Sequence, residues 1–172
     1  MNSMSLKIRF LADGMLGKLT RWLRMLGYDV EYIRDSPDEK LVERAEKERR
    51  VLLTSDLHLY RRALRRGIRA HLVEGRKEAE KIAGMAGRFK LKLKINPESS
   101  LCPRCNSPLR EAEASVLRSL IPASVLRKHQ KFWVCTNSEC GKVYWKGSHW
   151  NEIDKILEEA RSYLRKNLRV KP

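Results

Sequence analysis

Val51-Leu52-Leu53-Thr54-Ser55-Asp56, followed at once by Leu57-His58-Leu59-Tyr60-Arg61-Arg62-Ala63-Leu64-Arg65-Arg66-Gly67, is the stretch whose reading decides the fold. Three aliphatics, two polar residues and an acid read as a short buried strand that ends in a carboxylate. A helix carrying four arginines follows directly. In open α/β sheets ligands bind at the carboxyl edge of the strands, which places Asp56 at such an edge beside a basic surface. Taken alone, Asp56 reads first as the N-cap of the arginine helix, because Asp and Ser satisfy free amides there. A second acid at an equivalent edge is what would make it a site.

Working outward, residues 6–12 read as a strand in which Lys7 and Arg9 alternate with Leu6, Ile8 and Phe10, and which ends at Asp13. Residues 14–26 follow as a helix with Leu16, Leu19, Trp22, Leu23 and Leu26 at helical spacing, stopped by Gly27. Residues 28–33 form a second strand. Ser36-Pro37-Asp38-Glu39 supplies an N-cap, a first-turn proline and the Glu that completes a capping box for a helix running to about Arg50. Beyond the arginine helix come a fourth strand at 68–73 and a charged helix at 77–84. This alternation of strands and helices predicts a parallel sheet with right-handed crossovers. Near 91–100 the composition changes, and Asn96-Pro97-Glu98-Ser99-Ser100 reads as a linker. Three units follow: 1–95, 96–150, and a terminal amphipathic helix and tail at 151–172, with Ile153, Ile156, Leu157, Ala160 and Leu164 on one face.

The chain has 172 residues, with 37 Lys and Arg against 21 Asp and Glu, a net charge of +16. Residues 1–95 hold 23 basic and 13 acidic residues, and 96–150 hold 8 and 4. That balance favours a polyanionic partner, RNA or DNA ahead of an anionic membrane. The competing reading is a merely soluble basic surface, as in a thermophile. No apolar run reaches membrane-spanning length, and residues 1–5 lack the features of a signal peptide. A cytoplasmic chain is therefore expected, with its four cysteines read as metal ligands rather than disulfides.

Those cysteines are paired: Cys102-Pro103-Arg104-Cys105, and Cys135-Thr136-Asn137-Ser138-Glu139-Cys140. Four thiolates closing a tetrahedral shell make a structural zinc site, expected to shape a small ribbon that lacks a core of its own. The 29 residues between the pairs are long for a ribbon and point to an insertion at 116–128, interrupted at Pro122.

The second constellation is acidic. Asp13 and Asp56 each end a predicted strand of one parallel sheet and so face the same edge, with Asp35, Asp38 or Glu39 as a further member. Mg2+ or Mn2+ takes a few carboxylates plus water and substrate phosphate, and would activate water at a phosphodiester. Asp38 and Glu39 also have a plain reading, as acids in a helix's first turn. Arg61, Arg62, Arg65 and Arg66 are the first candidates for phosphate contacts, with Arg21 and Arg24 next, against the reading of a solvated helix face. Gly14-Met15-Leu16-Gly17-Lys18 has the wrong glycine spacing for a triphosphate loop, and Leu19 stands where Ser or Thr should follow Lys, which excludes that function. Trp133, Tyr144, Trp145 and Trp150 surround the second cysteine pair; such residues stack unpaired bases or form a ribbon's core.

Asp13-Gly14-Met15-Leu16-Gly17-Lys18-Leu19, Arg21-Trp22-Leu23-Arg24-Met25-Leu26-Gly27, Leu52-Leu53-Thr54-Ser55-Asp56, Cys102-Pro103-Arg104-Cys105-Asn106 and the run Cys140-Gly141-Lys142-Val143-Tyr144-Trp145-Lys146-Gly147-Ser148-His149-Trp150 together resemble the Mut-seven carboxy-terminal ribonuclease domain family. The resemblance implies a PIN-like three-layer α/β/α parallel sheet in 1–95, a zinc ribbon in 96–150 and a C-terminal helix. It implies a divalent-metal ribonuclease with Asp13, Asp38 and Asp56 in the acidic positions, and zinc on Cys102, Cys105, Cys135 and Cys140. The sequence departs from the family pattern in its wider second knuckle and in Leu57, His58 and Leu59, where many PIN domains have a further acid.

Two functions are thus expected. One is an endoribonuclease using Mg2+ or Mn2+ on Asp13 and Asp56. The other is a non-catalytic RNA-binding protein, and ribosomal RNA or the ribosome as partner is compatible with both. A DNA-directed nuclease is a third reading.

Overall fold

The structure, a computed structural model, describes residues 8–169; the start of the first expected strand, residues 6 and 7, lies outside them. The chain runs β1 (Phe10–Ala12), a single-turn helix (Gly14–Leu16), α1 (Gly17–Met25), β2 (Val30–Tyr32), α2 (Asp38–Glu48), β3 (Val51–Thr54), α3 (Leu57–Arg65), β4 (Ala70–Leu72) and α4 (Glu78–Phe89). Then come β5 (Leu109–Ala112), a second single-turn helix (Ala114–Leu117), α5 (Ala123–Lys128), β6 (Phe132–Cys135), β7 (Val143–Trp145) and α6 (His149–Arg169).

The first four strands form one parallel sheet in the order β2-β1-β3-β4. Strand residues alternate between faces, and the two central strands are apolar on both. Phe10, Ala12, Val51 and Leu53 pack with Leu19, Trp22 and Leu23 of α1 and with Ile82 and Met85 of α4. Leu11 and Leu52 face the other way, against Leu41, Val42 and Ala45 of α2 and Leu59 and Ala63 of α3. The result is the expected α/β/α sandwich, with helices on both faces of the sheet. Helix α6 returns to the first layer along α4, and its Leu157 and Ala160 are buried in the same cluster as Phe10. No helix among the described residues is long and apolar enough to cross a membrane.

Two local expectations are corrected. Helix α2 starts one residue late for a capping box: its N-cap is Pro37, and among the described residues no side chain caps it. Glu39 instead pairs across to α3, with Arg62 at 3.2 Å and Arg66 at 2.5 Å. Helix α4 continues past Gly84 to Phe89, because Met85 and Ala86 extend its buried stripe.

The three later strands form an antiparallel sheet, β5-β6-β7. Contrary to expectation this unit has a core of its own. Ala112, Leu117, Phe132 and Val134 are buried together, and Ile121, Val125 and Leu126 of the inserted segment pack onto them. The insertion is therefore the layer that lets a three-stranded sheet bury one face.

The ribbon docks on the open edge of the first sheet. Val30, on edge strand β2, turns its amide and carbonyl away from β1: the amide donates to Asn106 Oδ1 at 3.1 Å, and the carbonyl accepts from Arg24 Nε and Nη2 at 2.9 and 2.7 Å. An exposed strand edge invites pairing with another chain, and here the first cysteine knuckle covers it. The other Arg24 nitrogen donates to the carbonyls of Pro103 and Arg104 at 3.1 and 3.2 Å. Gly27 completes the joint: its φ of +88° ends α1, and a Cβ there would stand 2.7 Å from the Ser99 carbonyl oxygen.

Candidate functional site

The carboxyl edge of the parallel sheet carries acids over its centre and cations over its flanks. Asp13 follows central strand β1, and Asp56 comes two residues after central strand β3. Arg34 follows edge strand β2, and Arg76 follows edge strand β4. Asp13 is buried, only 4% exposed. Its Oδ1 caps the single-turn helix by accepting from the Met15 amide at 2.9 Å, and its Oδ2 accepts from the Thr54 hydroxyl. Thr54 in turn accepts from the Asp56 amide at 2.9 Å, so one buried hydroxyl ties the two acidic positions together. Asp56 is exposed, and its Oδ1 caps α3 through the amides of His58 at 2.6 Å and Leu59 at 3.2 Å. The capping reading of both acids is thus realised with one oxygen each.

Asp38 is the first residue of α2 and half-buried, and Asp35 is exposed with a left-handed φ of 54°. Glu39 is held by its two arginines. Among the described residues, Asp13, Asp38 and Asp56 do not form a group close enough to share one ion.

The four cysteines do. Their sulfurs all lie within 4.8 Å of one another, with Cys102 and Cys140 at 3.8 Å and Cys105 and Cys135 at 3.3 Å. A tetrahedral zinc with bonds of about 2.3 Å sets its sulfurs roughly 3.8 Å apart, so the wider second knuckle still delivers a set that could bind zinc. Burial pushes the Cys105 thiol up, but hydrogen bonds from Ser107 and the neighbouring thiols outweigh it and leave it at about 6. Burial dominates at Cys135, pushed up to about 12, and also raises Cys140. Burial raises Tyr144 as well, whose hydroxyl lies 3.1 Å from the Cys102 sulfur. Four apposed thiols do not ionise together unaided, and a doubly charged cation is what would allow it.

The cations expected from the sequence divide by their partners. Arg24 is buried inside the joint, with its guanidinium committed to backbone carbonyls; burial lowers its pKa, against the pull of Cys105, Cys102 and Asp29. Arg62 and Arg66 are paired to Glu39, and Arg66 also to Glu46 at 3.0 Å. Arg61 and Arg65 are exposed one turn apart on α3. Arg21 lines a groove of about 890 Å3 between the two units. Lys18 also lines it from α1, Arg34 and Arg76 from the loops after the edge strands, Lys81 from α4, and Arg104 and Lys142 from the cysteine knuckles. One acid, Glu78, stands among them. The groove begins at Gly14 and Met15, next to Asp13 in the chain. Sequence reasoning missed most of these cations; applying the sheet-edge rule to all four strands would have flagged Arg34 and Arg76.

The profile of one protein family, described as the Mut7-C RNAse domain, matches residues 8–157, which spans both the α/β/α unit and the ribbon. No curated protein and no solved structure matches the chain.

Proposed function

The chain belongs to the Mut7-C RNAse domain family, and we propose that it is a divalent-metal-dependent endoribonuclease whose acidic site is Asp13, Asp56 and Asp38. The observation that carries this reading is the link from Asp13 through the Thr54 hydroxyl to Asp56, at the edge where the two central strands end. Each acid keeps an oxygen outside its helix cap, and two hard oxygen donors with water and substrate phosphate suit Mg2+ or Mn2+. Bound there, such a cation would lower the pKa of a water and offset charge on the scissile phosphate. Asp38, at the start of α2, orients the attacking water. Hydrolysis leaves a 5′-phosphate and a 3′-hydroxyl.

The basic groove and the exposed pair Arg61 and Arg65 hold the RNA backbone. Contacts of this kind give affinity and steep salt dependence without reading bases. The four cysteines hold a structural zinc that fixes the two knuckles, and so places Arg104 and Lys142 opposite α1. A second reading, a non-catalytic RNA-binding protein with ribosomal RNA or the ribosome as partner, draws support from the capping bonds of Asp13 and Asp56, which explain both acids without a metal.

One experiment separates the two. Zinc-loaded protein is incubated with single-stranded and structured RNAs plus Mn2+ or Mg2+, beside a D13N/D56N variant purified identically. The nuclease predicts cleavage by the parent and none by the variant at equal RNA binding. Tight binding without cleavage by either protein overturns it in favour of the second reading.

A further inference from the structure

Arg24 carries a charge that its hydrogen bonds leave unanswered. The residue is only 5% exposed; its Nε and Nη2 donate to the Val30 carbonyl, and Nη1 donates to the carbonyls of Pro103 and Arg104. All three acceptors are neutral, and among the described residues no carboxylate pairs with this guanidinium. Asp29, at the same joint, gives its Oδ1 to Arg50 and Asn106. A buried cation is costly unless an anion stands near it. Burial disfavours the charged guanidinium; the sulfurs of Cys105 and Cys102, and after them Asp29, favour it.

The grip of Arg24 is on the cysteine knuckle itself. Pro103 and Arg104 are the two residues between Cys102 and Cys105, and the Arg24 carbonyl accepts from the Leu101 amide at 2.9 Å, one residue before Cys102. One residue of α1 therefore holds the chain on both sides of Cys102 and, through Val30, the edge strand β2. A Zn2+ ion with four thiolate ligands carries a net negative charge, which is the anion that Arg24 lacks. Arg104 and Lys142 also belong to the knuckles, but both are exposed, where water and salt screen them. We propose that Arg24 is the counter-charge of the zinc centre, a positioning residue that ties metal occupancy to the docking of the ribbon on β2. The inference rests on the reading of the four cysteines as a zinc site. By reciprocity, Arg24 raises zinc affinity and bound zinc tightens the hold of Arg24 on Val30.

The test measures zinc affinity of the full chain at pH 7 by competition with a chromogenic chelator. R24M removes the charge and is expected to bind zinc about 10- to 100-fold more weakly than the parent, the scale of groups that support metal ligands from outside. R24K keeps the charge without the guanidinium fork and is expected to recover most of that loss. R21M removes an exposed charge one turn away on α1 and should bind zinc like the parent. An R24M protein with the parent's affinity overturns the proposal, as does an R24K protein as weak as R24M, which would reduce Arg24 to its carbonyl contacts. An R21M protein as weak as R24M overturns it too. If the parent itself binds no zinc, the zinc reading falls, and the role of Arg24 with it. A measurement on unaltered protein decides the matter even where the variants fold poorly: the Arg24 Nε–H, followed by NMR, should exchange with solvent about tenfold more slowly in zinc-loaded than in EDTA-treated protein. Equal exchange in the two states overturns the coupling.

Discussion

The side-chain amide of Asn106, in the first cysteine knuckle, donates to Asp29 Oδ1 at 2.7 Å. Arg50 donates to the same oxygen at 2.8 Å, so a residue of the ribbon and a residue at the start of β3 meet on one carboxylate. Burial pushes the Asp29 carboxyl up, but its hydrogen bonds to Arg50 and Asn106 prevail and hold it below the usual aspartate range. A carboxyl with a depressed pKa in the folded state stabilises the fold above its unfolded value, and that stabilisation is lost as pH falls through the folded value.

Acid unfolding therefore has a component at this joint. Urea denaturation of the zinc-loaded protein from pH 5 downward should show stability falling below about pH 4, and D29N should flatten that fall. At neutral pH the same variant should lose about 1 kcal/mol, because the carboxylate is partly exposed to solvent. A D29N protein with an unchanged acid limb would remove the joint from the account.

Replacing Gly27 should loosen the two units from one another. G27A meets both a left-handed backbone and the Ser99 carbonyl, and the expected loss is about 2–3 kcal/mol in the urea midpoint of the zinc-loaded chain. A loss under about 0.5 kcal/mol would mean that residues 96–100 move aside freely.

Thr54 acts through the two acids it joins. T54V removes the hydroxyl that donates to Asp13 and accepts from Asp56, and should lower kcat for RNA cleavage about 10- to 100-fold with KM little changed. T54S keeps the hydroxyl and should recover most of the rate. If T54V and T54S cleave alike, Thr54 is a packing residue only.

Chelation should act on the ribbon and spare the sheet. Trp133, Trp145 and Trp150 lie in or beside the ribbon, whereas Trp22 packs in the core of the parallel sheet. EDTA treatment should therefore change tryptophan emission while the far-ultraviolet signal of the α/β/α unit persists, and should expose all four thiols to a modifying reagent. Four thiols that react equally fast before chelation would exclude a bound metal.

Local pattern made much of this legible. The run Val51-Leu52-Leu53 ending near Asp56 is apolar on both faces because β3 is central and covered by helices on each side. That signal is carried by consecutive residues, as are the cysteine pairs and the cap at Asp56. The ribbon's own core was not legible, since Leu117, Val125 and Leu126 are scattered through an insertion and meet Phe132 only when α5 folds over the sheet. Nor was the fate of the arginines. Arg24 and Arg21 are three residues apart on α1 and both line the groove, yet the Arg24 guanidinium is committed to the carbonyls of Val30, Pro103 and Arg104.

The sequence by itself determined the order of strands and helices, the two acids at strand ends, the four thiols and the excess of positive charge, because periodicity and spacing are local properties of the chain. Only the tertiary structure decided that the first knuckle seals the edge of β2, that the cations facing α1 come from segments more than 100 residues apart, and that the buried Trp133 indole N–H meets no acceptor among the described residues. Those are relations between distant segments, fixed by which faces bury together when the ribbon docks on the sheet.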